Sequence, residues 1–539
     1  MKNDLNIWKI VGYTLLLIVA LPIFILLIYL FTPNSEFYKT IIENTLFSYL
    51  KNTLILGLST AVISALLGYS LAYITTFYEF KFSKYLGLLL VLPLTIPTYI
   101  AGYTYEGMLN YTGIVQSTLR GIGINVNQSY FDILSMPGAV FMFSITLYPY
   151  VYLITRSYLS KQTASYIESS RTMGKSSFDI FKSVILPLSR PAIIAGSTLV
   201  LLETLADYAV VTYFGIPTFT NAIFKTWYGL GEHESAIKLA IISMFIVVVI
   251  LVLEKVLRGR RAYFNTSNVS KQIKKIKLRG FKNFLASAFA SLVFLLGFLF
   301  PVMQQIYWAV REVDMFKRVD LLSLIWQTVS VGLIASALII IIALIIANVL
   351  RLSKPIYKKL ASNIVILGYS MSGAIIALGT LIIFVFVDRN MVGLYRFFNP
   401  NSRTLLLTMS PIILIFAYII RFLSVGFNNI LSSYDKMGNK YYEASKTMGN
   451  NTTKTFFKID LPMLKLTIIN SFILVFIDII KEVTITLKLR PFNYDTLATK
   501  VFQYATDEMI PVASYPSLVI IIICIIAMIL TSLLKRGRA

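Results

Sequence analysis

The chain alternates long apolar runs with short polar segments from one end to the other. A helix needs about 20 apolar residues to cross a bilayer, and backbone groups inside lipid must be hydrogen-bonded within the segment. The pattern therefore predicts an all-α polytopic membrane protein with about twelve transmembrane helices. The twelve runs cover residues 10–31, 52–77, 85–108, 137–158, 191–211, 236–257, 283–308, 322–350, 361–387, 404–424, 466–487 and 514–534. The first is longer than a signal-peptide core, so we interpret it as a retained span.

A polar loop of twenty residues occurs twice, once in each half of the chain. Residues 168–187 read ESSRTMGKSSFDIFKSVILP and residues 443–462 read EASKTMGNNTTKTFFKIDLP. We call them the first and second repeat loops. The matching residues are 275 positions apart: Glu168 and Glu443, Thr172 and Thr447, Met173 and Met448, Gly174 and Gly449, Pro187 and Pro462. Six runs in each half is an even number, so the repeat is predicted to be parallel, with a pseudo-two-fold axis along the membrane normal.

The repeat sets the predicted domain organisation. The first transmembrane helix and an outer loop occupy residues 1–50, and the first transmembrane domain occupies 51–257. A basic cytoplasmic linker follows at 258–282, and the seventh helix with its outer loop at 283–321. The second transmembrane domain occupies 322–534.

Charge gives the predicted orientation of the chain. Only 14% of the residues are charged, yet the net charge is +24, and the linker has nine basic residues and no acidic one. Basic residues concentrate in cytoplasmic loops of membrane proteins. We therefore expect both termini and both repeat loops on the cytoplasmic side of the membrane. The linker is expected to contact anionic lipid and not nucleic acid.

Cysteine and histidine content excludes some chemistry. The chain has one cysteine, Cys524, and one histidine, His233, which excludes a disulfide framework and a His/Cys metal cluster. His233 lies between Glu232 and Glu234 and is interpreted as polar loop surface. The sequence predicts no stable metal site and no bound cofactor.

Each repeat loop predicts a short helix, a turn and a second helix. Gly174 and Gly449 permit a turn with positive φ, and Pro187 and Pro462 are expected to stop the second helix before the next span. Two such elements on one face would form a two-fold docking platform for a symmetric partner.

The repeat loops resemble the EAA loop of ABC-transporter permeases of the type I importer fold. The second copy has the family pattern as Glu443-Ala444-Ser445, Gly449, Ile459 and Leu461-Pro462. The first copy has Glu168-Ser169-Ser170, Gly174 and Leu186-Pro187, with Ile185 shifted by one position. No phosphate-binding loop of the Walker A type occurs in the chain. The resemblance thus implies that two copies of a separate ATPase dock at the ten paired loop residues, and that this partner uses the ATP.

Four acidic residues lie in apolar runs that follow the repeat loops. Glu203 matches Asp478 and Asp207 matches Glu482, again at an offset of 275. Residues at i and i+4 share a helix face, so both pairs are predicted to face a central transport path. The alternative is a structural role, with hydrogen bonds to polar neighbours or to Lys481. If they line a path, carboxylates with the nearby phenols of Tyr208 and Tyr213 suit a hard cation and not an oxyanion.

The stretches ETLADYAVVTYFGIPTFTNAIFKTW and LRPFNYDTLATKVFQYATDE are similar to segments of fused ferric-iron permeases, although Val483-Thr484 replaces the usual Leu-Pro. This resemblance implies an Fe(III) importer of a bacterial inner membrane that works with an extracytoplasmic iron-binding protein. Thiamine and polyamine permeases remain alternatives. So does an ion-coupled secondary transporter, which would not account for the repeat loops. No nucleophile and base are placed as an enzyme would need them, so the chain is predicted to be a permease without catalytic residues.

Overall fold

The computed structural model describes residues 2–124, 127–162, 164–258, 275–316, 320–399 and 404–536, and these residues are almost entirely helical. The α-helices before the linker are α1 Lys2–Ile28, α2 Glu36–Asn44, α3 Leu46–Phe77, α4 Ser83–Leu89, α5 Thr98–Leu109, α6 Ile114–Gly121, α7 Met136–Gln162, α8 Ala164–Thr172, α9 Ser177–Ile180, α10 Leu186–Ala206, α11 Ala209–Tyr213, α12 Phe219–Phe224 and α13 His233–Arg258.

The α-helices after the linker are α14 Gly280–Phe294, α15 Phe300–Arg311, α16 Val313–Phe316, α17 Leu321–Arg351, α18 Pro355–Ser370, α19 Gly373–Phe398, α20 Pro411–Met437, α21 Lys440–Thr447, α22 Thr452–Thr455, α23 Leu461–Lys481, α24 Thr484–Leu489, α25 Leu497–Thr506 and α26 Ile510–Arg536. Short 3₁₀ segments lie at Tyr29–Phe31, Leu92–Thr95 and Gln128–Phe131, and π segments at Phe181–Ile185, Lys225–Gly229, Leu295–Leu299 and Phe456–Asp460.

Eleven helices in the described residues are long and apolar enough to cross a membrane, and a bent pair brings the number to twelve. This agrees with the predicted polytopic all-α fold. The bent pair corresponds to the predicted run 85–108, which is not one straight helix. Ser83–Thr95 and Thr98–Gly121 meet at 94°, because Ile96 and Pro97 are both extended. Proline disfavours the α conformation in the residue before it, which explains the break at Ile96.

The predicted run 361–387 is also broken, at the equivalent place. Met371 and Ser372 lie 275 positions after Ile96 and Pro97, and both are extended, so α18 ends and α19 begins there. No proline marks this second break, which is why the apolar pattern alone predicted a continuous span.

The leading span of each half contacts the opposite half, and α15 packs in addition on α26 of its own half. Helix α1 lies against α17 and α19, where a Cβ added at Gly379 would be 2.9 Å from the carbonyl oxygen of Pro22. Helices α14 and α15 lie against α4 and α5, where a Cβ at Gly107 would be 2.8 Å from the ring of Trp308. Small residues at these crossings let the helix backbones approach closely. The exchange joins the two halves within the membrane.

The linker returns to the first half through a short parallel pairing. Strand β1 (Tyr78–Glu79) pairs with β2 (Ile276–Lys277), and the Leu278 N–H donates to the Glu79 carbonyl at 2.8 Å. Most of the predicted basic linker, residues 259–274, lies outside the described residues.

Candidate functional site

Asp207 and Glu482 lie at helix breaks that occur at the same place in both halves. Helix α10 ends at Asp207, whose Oδ1 accepts the N–H of Val210 at 2.8 Å. Helix α23 ends at Glu482, whose Oε1 accepts the N–H of Ile485 at 2.8 Å. Each carboxylate thus ends one helix and caps the next, satisfying an N–H group that the break leaves without a helical partner. The predicted runs 191–211 and 466–487 are therefore not continuous helices.

Both breaks have nearly the same backbone. Tyr208, which follows Asp207, has φ −103° and ψ −40°, and Val483, which follows Glu482, has φ −109° and ψ −38°. The Val483-Thr484 sequence, where the resembled family has Leu-Pro, therefore keeps the geometry of the first half.

The four predicted acidic residues line one cavity where the two halves meet. Its volume is about 120 Å³. The lining comprises Leu94, Ile96, Pro97, Thr98, Tyr99, Thr146, Leu147, Tyr150, Glu203, Ala206, Asp207, Tyr369, Arg421, Phe422, Asp478, Lys481, Glu482, Val483 and Thr484. Four carboxylates and two bases give this lining a formal charge of −2.

The acidic residues of the first half accept hydrogen bonds from neutral groups. The Tyr369 hydroxyl, which comes from the second half, donates to Glu203 Oε1 at 2.6 Å. The Thr98 hydroxyl donates to Asp207 Oδ2 at 2.6 Å. These donors fix the direction of the carboxylates and leave their charge in place.

The acidic residues of the second half contact bases. Arg421 Nε lies 3.4 Å from Glu482 Oε2, and both side chains are at most 10% exposed. Lys481 Nζ lies 3.7 Å from Asp478 Oδ1 and donates to the Leu94 carbonyl at 3.3 Å. These contacts are the ones expected if the acidic residues have a structural role. The same residues also line the cavity.

The tyrosines that line the cavity are not the two that the sequence predicted beside the acidic residues. Tyr208 and Tyr213 are absent from the lining, because the chain turns at Asp207; Tyr208 packs on Phe224, and Tyr213 donates to Glu106 at 3.3 Å. The tyrosines in the lining are Tyr99, Tyr150 and Tyr369, which no sequence signal identified. Arg421 was also missed, although a single base in the predicted run 404–424 is a recognisable signal of a functional or paired charge.

The repeat loops form a second candidate site. In the first, α8 ends at Thr172, Gly174 has φ +78°, and α9 begins after Ser176, whose Oγ accepts the Asp179 N–H at 3.2 Å. In the second, α21 ends at Thr447, Gly449 has φ +80°, and α22 begins after Asn451, whose Oδ1 accepts the Lys454 N–H at 2.7 Å.

The ten residues predicted for docking are all exposed: Glu168, Thr172, Met173, Gly174, Pro187, Glu443, Thr447, Met448, Gly449 and Pro462. Both methionines are highly exposed, Met173 at 78% and Met448 at 79%. An unbranched apolar side chain exposed at equivalent places in both halves is suited to fill a groove on a partner.

The expectation that Pro187 and Pro462 stop the second helix is wrong. The helix runs without interruption over Ser177–Ala206 in the first half and Thr452–Lys481 in the second. A π segment ends two residues before each proline, at Ile185 and Asp460. Proline lacks an N–H and clashes with the carbonyl four residues earlier, and the wider π turn accommodates both effects.

The described residues contain no group of three or more His, Cys, Asp or Glu side chains placed to hold a metal ion. His233 is exposed, and its ring centroid is 4.3 Å from that of Trp227.

Comparison with known proteins identifies the family of this chain. The family model described as "Binding-protein-dependent transport system inner membrane component" matches residues 64–263 and 339–538. The chain is 23% identical over 518 residues to the Fe(3+)-transport system permease protein FbpB 2 of Haemophilus influenzae, covering 94% of this chain and 95% of that protein. It is 28% identical over 190 residues to the spermidine/putrescine transport system permease protein PotB of Haemophilus influenzae, covering 35% of this chain and 65% of that protein.

Two further similarities cover less of the chain. The sulfate transport system permease protein CysT of Salmonella typhimurium is 27% identical over 198 residues, which is 36% of this chain and 69% of that protein. A chain of a solved bacterial ABC transporter involved in alginate import matches 47% of this chain and 96% of its own length, with 18% identity and a TM-score of 0.36. Because the family model matches most of the sequence, in two copies, this chain belongs to the inner membrane components of binding-protein-dependent transport systems, the permeases of ABC importers.

Proposed function

We propose that this permease carries Fe(III) across the membrane through the cavity between its halves. The observation that carries the proposal is that four carboxylates line one cavity, with a formal charge of −2 over the whole lining. Fe(III) is a hard cation, and carboxylate and phenol oxygens are hard ligands. A unit charge at about 4 Å from another is worth roughly 4 kcal/mol at an effective dielectric of about 20, so this lining favours cations strongly over oxyanions.

The full-length similarity to an Fe(3+)-transport permease supports iron as the cation. The spermidine/putrescine relative supports a second candidate, a polyamine. The tyrosines of the lining favour that candidate, because aromatic faces beside carboxylates attract organic ammonium groups. Thiamine, also a cation, remains within the same chemical class.

The transport cycle that we propose uses partners on both sides. Two copies of a separate ATPase bind the repeat loops on the cytoplasmic face, and an extracytoplasmic iron-binding protein delivers the cargo. Closure of the ATPase dimer on ATP draws the loops together. Because α9 and α10 form one helix from Ser177 to Ala206, and α22 and α23 one helix from Thr452 to Lys481, movement of a loop is transmitted directly to the acidic end of its helix. The cavity then changes from inward-facing to outward-facing access.

The proposal implies an orientation and a division of labour. Both termini and the linker face the cytoplasm, where anionic lipid is available to the linker. This chain supplies no catalytic residue and binds no cofactor, and ATP is hydrolysed by the partner.

Uptake by the reconstituted complex tests the proposal. The chain, its ATPase and its binding protein are placed in proteoliposomes, and uptake of radioactive iron, spermidine, thiamine and sulfate is measured with and without ATP. ATP-dependent uptake of iron alone is expected. Uptake of spermidine or thiamine in place of iron would reject Fe(III), and uptake of sulfate would reject the cation class altogether.

A further inference from the structure

The pseudo-two-fold symmetry of the cavity holds for its acids and fails for its bases. Arg421 lies 275 positions after Thr146, and Lys481 lies 275 positions after Ala206. All four of these residues line the cavity. The second half therefore places two bases where the first half places a hydroxyl and a methyl group.

The backbone of the second half makes room for one of these bases. Gly373 is the counterpart of Thr98, and a Cβ added at Gly373 would lie 2.7 Å from Arg421 Nη1. In the first half the Thr98 hydroxyl instead donates to Asp207 at 2.6 Å. The Thr98 and Thr146 pair of the first half is thus replaced by Gly373 and Arg421, a matched exchange and not an isolated substitution.

The exchange changes what each carboxylate offers to a cation. Glu482 lies against the Arg421 guanidinium at 3.4 Å, and Asp478 against the Lys481 ammonium at 3.7 Å. In the first half, Glu203 and Asp207 accept hydrogen bonds only from neutral donors among the described residues, and the charge of Arg421 acts on them less strongly than on Glu482. A hydroxyl donor orients a carboxylate, whereas a base also compensates its charge.

Two buried polar groups in the lining show that it is not a closed structural network. Arg421 is 9% exposed and Tyr99 is 5% exposed. Within the described part of the chain, Arg421 Nη1 and the Tyr99 hydroxyl have no hydrogen-bond partner. Buried polar groups are nearly always paired, and the Tyr99 hydroxyl can offer its oxygen to a cation, so this group points to a molecule that enters the cavity.

From these observations we infer that Glu203 and Asp207 of the first half are the residues that select and hold the cation. Arg421 and Lys481 are built-in counter-ions that occupy the acids of the second half. The inference rests on the proposed cation transport and assigns its specificity to one half of the site. Tyr369, which crosses from the second half to orient Glu203, completes that half.

Exchanging the two arrangements tests the inference in the complete complex. Thr98→Gly with Thr146→Arg gives the first half the arrangement of the second, and we expect iron uptake to fall by at least roughly tenfold because a base then compensates Asp207. Gly373→Thr with Arg421→Thr gives the second half the arrangement of the first. It is expected to lower uptake less than the first-half exchange does, because Glu203 and Asp207 keep their charges and their neutral donors. Uptake is divided by the amount of assembled complex, measured by co-purification of the ATPase.

Asp207→Asn and Glu482→Gln serve as single variants if an exchange fails to assemble. The inference requires the Asp207 variant to lose more uptake per assembled complex than the Glu482 variant. Equal losses in both exchanges, or a larger loss in the second-half variants, would overturn it. If the wild-type complex carries spermidine or thiamine instead of iron, the proposed cargo fails and the same comparison is read with that cation. Sulfate uptake by the wild type would overturn both.

Discussion

Replacing Arg351 by threonine tests how the second repeat loop is held to the membrane domain. Arg351 ends α17, and its guanidinium makes a bidentate contact with Asp460 in the π segment of that loop, at 2.9 Å for Nη1 to Oδ1. The side chains are 4% and 0% exposed, and the guanidinium also lies 4.3 Å from the ring centroid of Tyr434. At the equivalent positions the first half has Thr76 and Ile185.

The repeat supplies both the perturbation and its compensation. Arg351→Thr leaves the Asp460 carboxylate buried without its base, which typically costs about 3–5 kcal/mol of the free energy of unfolding. Arg351→Thr with Asp460→Ile reproduces the pair of the first half. Replacing a complete buried ion pair by uncharged residues is often neutral, so the double variant is expected within about 1–2 kcal/mol of the wild type.

The free energies are measured by denaturant unfolding of the purified chain in one detergent. Lys358 and Asp435 provide the matched control, since they form an exposed ion pair with side chains 31% and 53% exposed. Asp435→Asn is expected to cost about 0–1 kcal/mol. ATPase binding is measured in parallel, and Arg351→Thr is expected to weaken it through a displaced second loop.

Two results would refute this reasoning. If the single and double variants lose the same free energy, the buried charge is not what destabilises the single variant. If Arg351→Thr costs no more than Asp435→Asn, water reaches the pair and it does not anchor the loop.

Three other outcomes are expected. The purified chain does not hydrolyse ATP but binds two ATPase subunits, one at each repeat loop, as measured by phosphate release and by mass photometry of the complex; a single bound subunit contradicts the two-fold platform. Gly174→Val and Gly449→Val are expected to reduce iron uptake per assembled complex several-fold, because positive φ costs a residue with a β-carbon about 1–2 kcal/mol. No atom lies within 4 Å of a Cβ added at either glycine, so the backbone conformation alone is tested. Gly393→Val is the control, since its Cβ also meets open space but its φ is helical. Lys488→Met is expected to leave the free energy of unfolding unchanged or to raise it, because burial lowers the pKa of Lys488 to about 8 and the cost of that burial offsets the contact of the ammonium with the Tyr228 ring, 4.4 Å from the ring centroid; a clear drop in the unfolding midpoint would refute this.

The sequence predicted those features that depend on local chemistry. Runs of apolar residues identify spans because lipid leaves the backbone no other solution, and the described helices follow them. Gly174 and Gly449 have positive φ because the same turn recurs in both repeat loops. The four acids were found because a carboxylate in an apolar run must be paired or must face the interior of the helix bundle. The structure brings all four to one cavity.

The helix breaks were missed because hydropathy does not register them. Ile96 could have been recognised from the proline that follows it, but Met371 is extended without such a signal. Asp207 and Glu482 each end one helix and cap the next. The i, i+4 spacing of the acids assumes a continuous helix and therefore misses the break. The packing of each leading span on the opposite half was not predictable either. A helix that is apolar on all sides has no pattern that indicates which helix it packs on.

Fusion of the two halves in one chain permits the charge that this cavity has. In a homodimer, symmetry gives both subunits the same residues. Bases at both pairs of positions would leave a four-acid lining neutral, and bases at neither would leave it with four uncompensated charges. Here Arg421 and Lys481 come from one half and Thr146 and Ala206 from the other, which leaves the intermediate formal charge of −2. Such a lining attracts a cation without enclosing it in four free carboxylates, and a permease must release its cargo as readily as it accepts it.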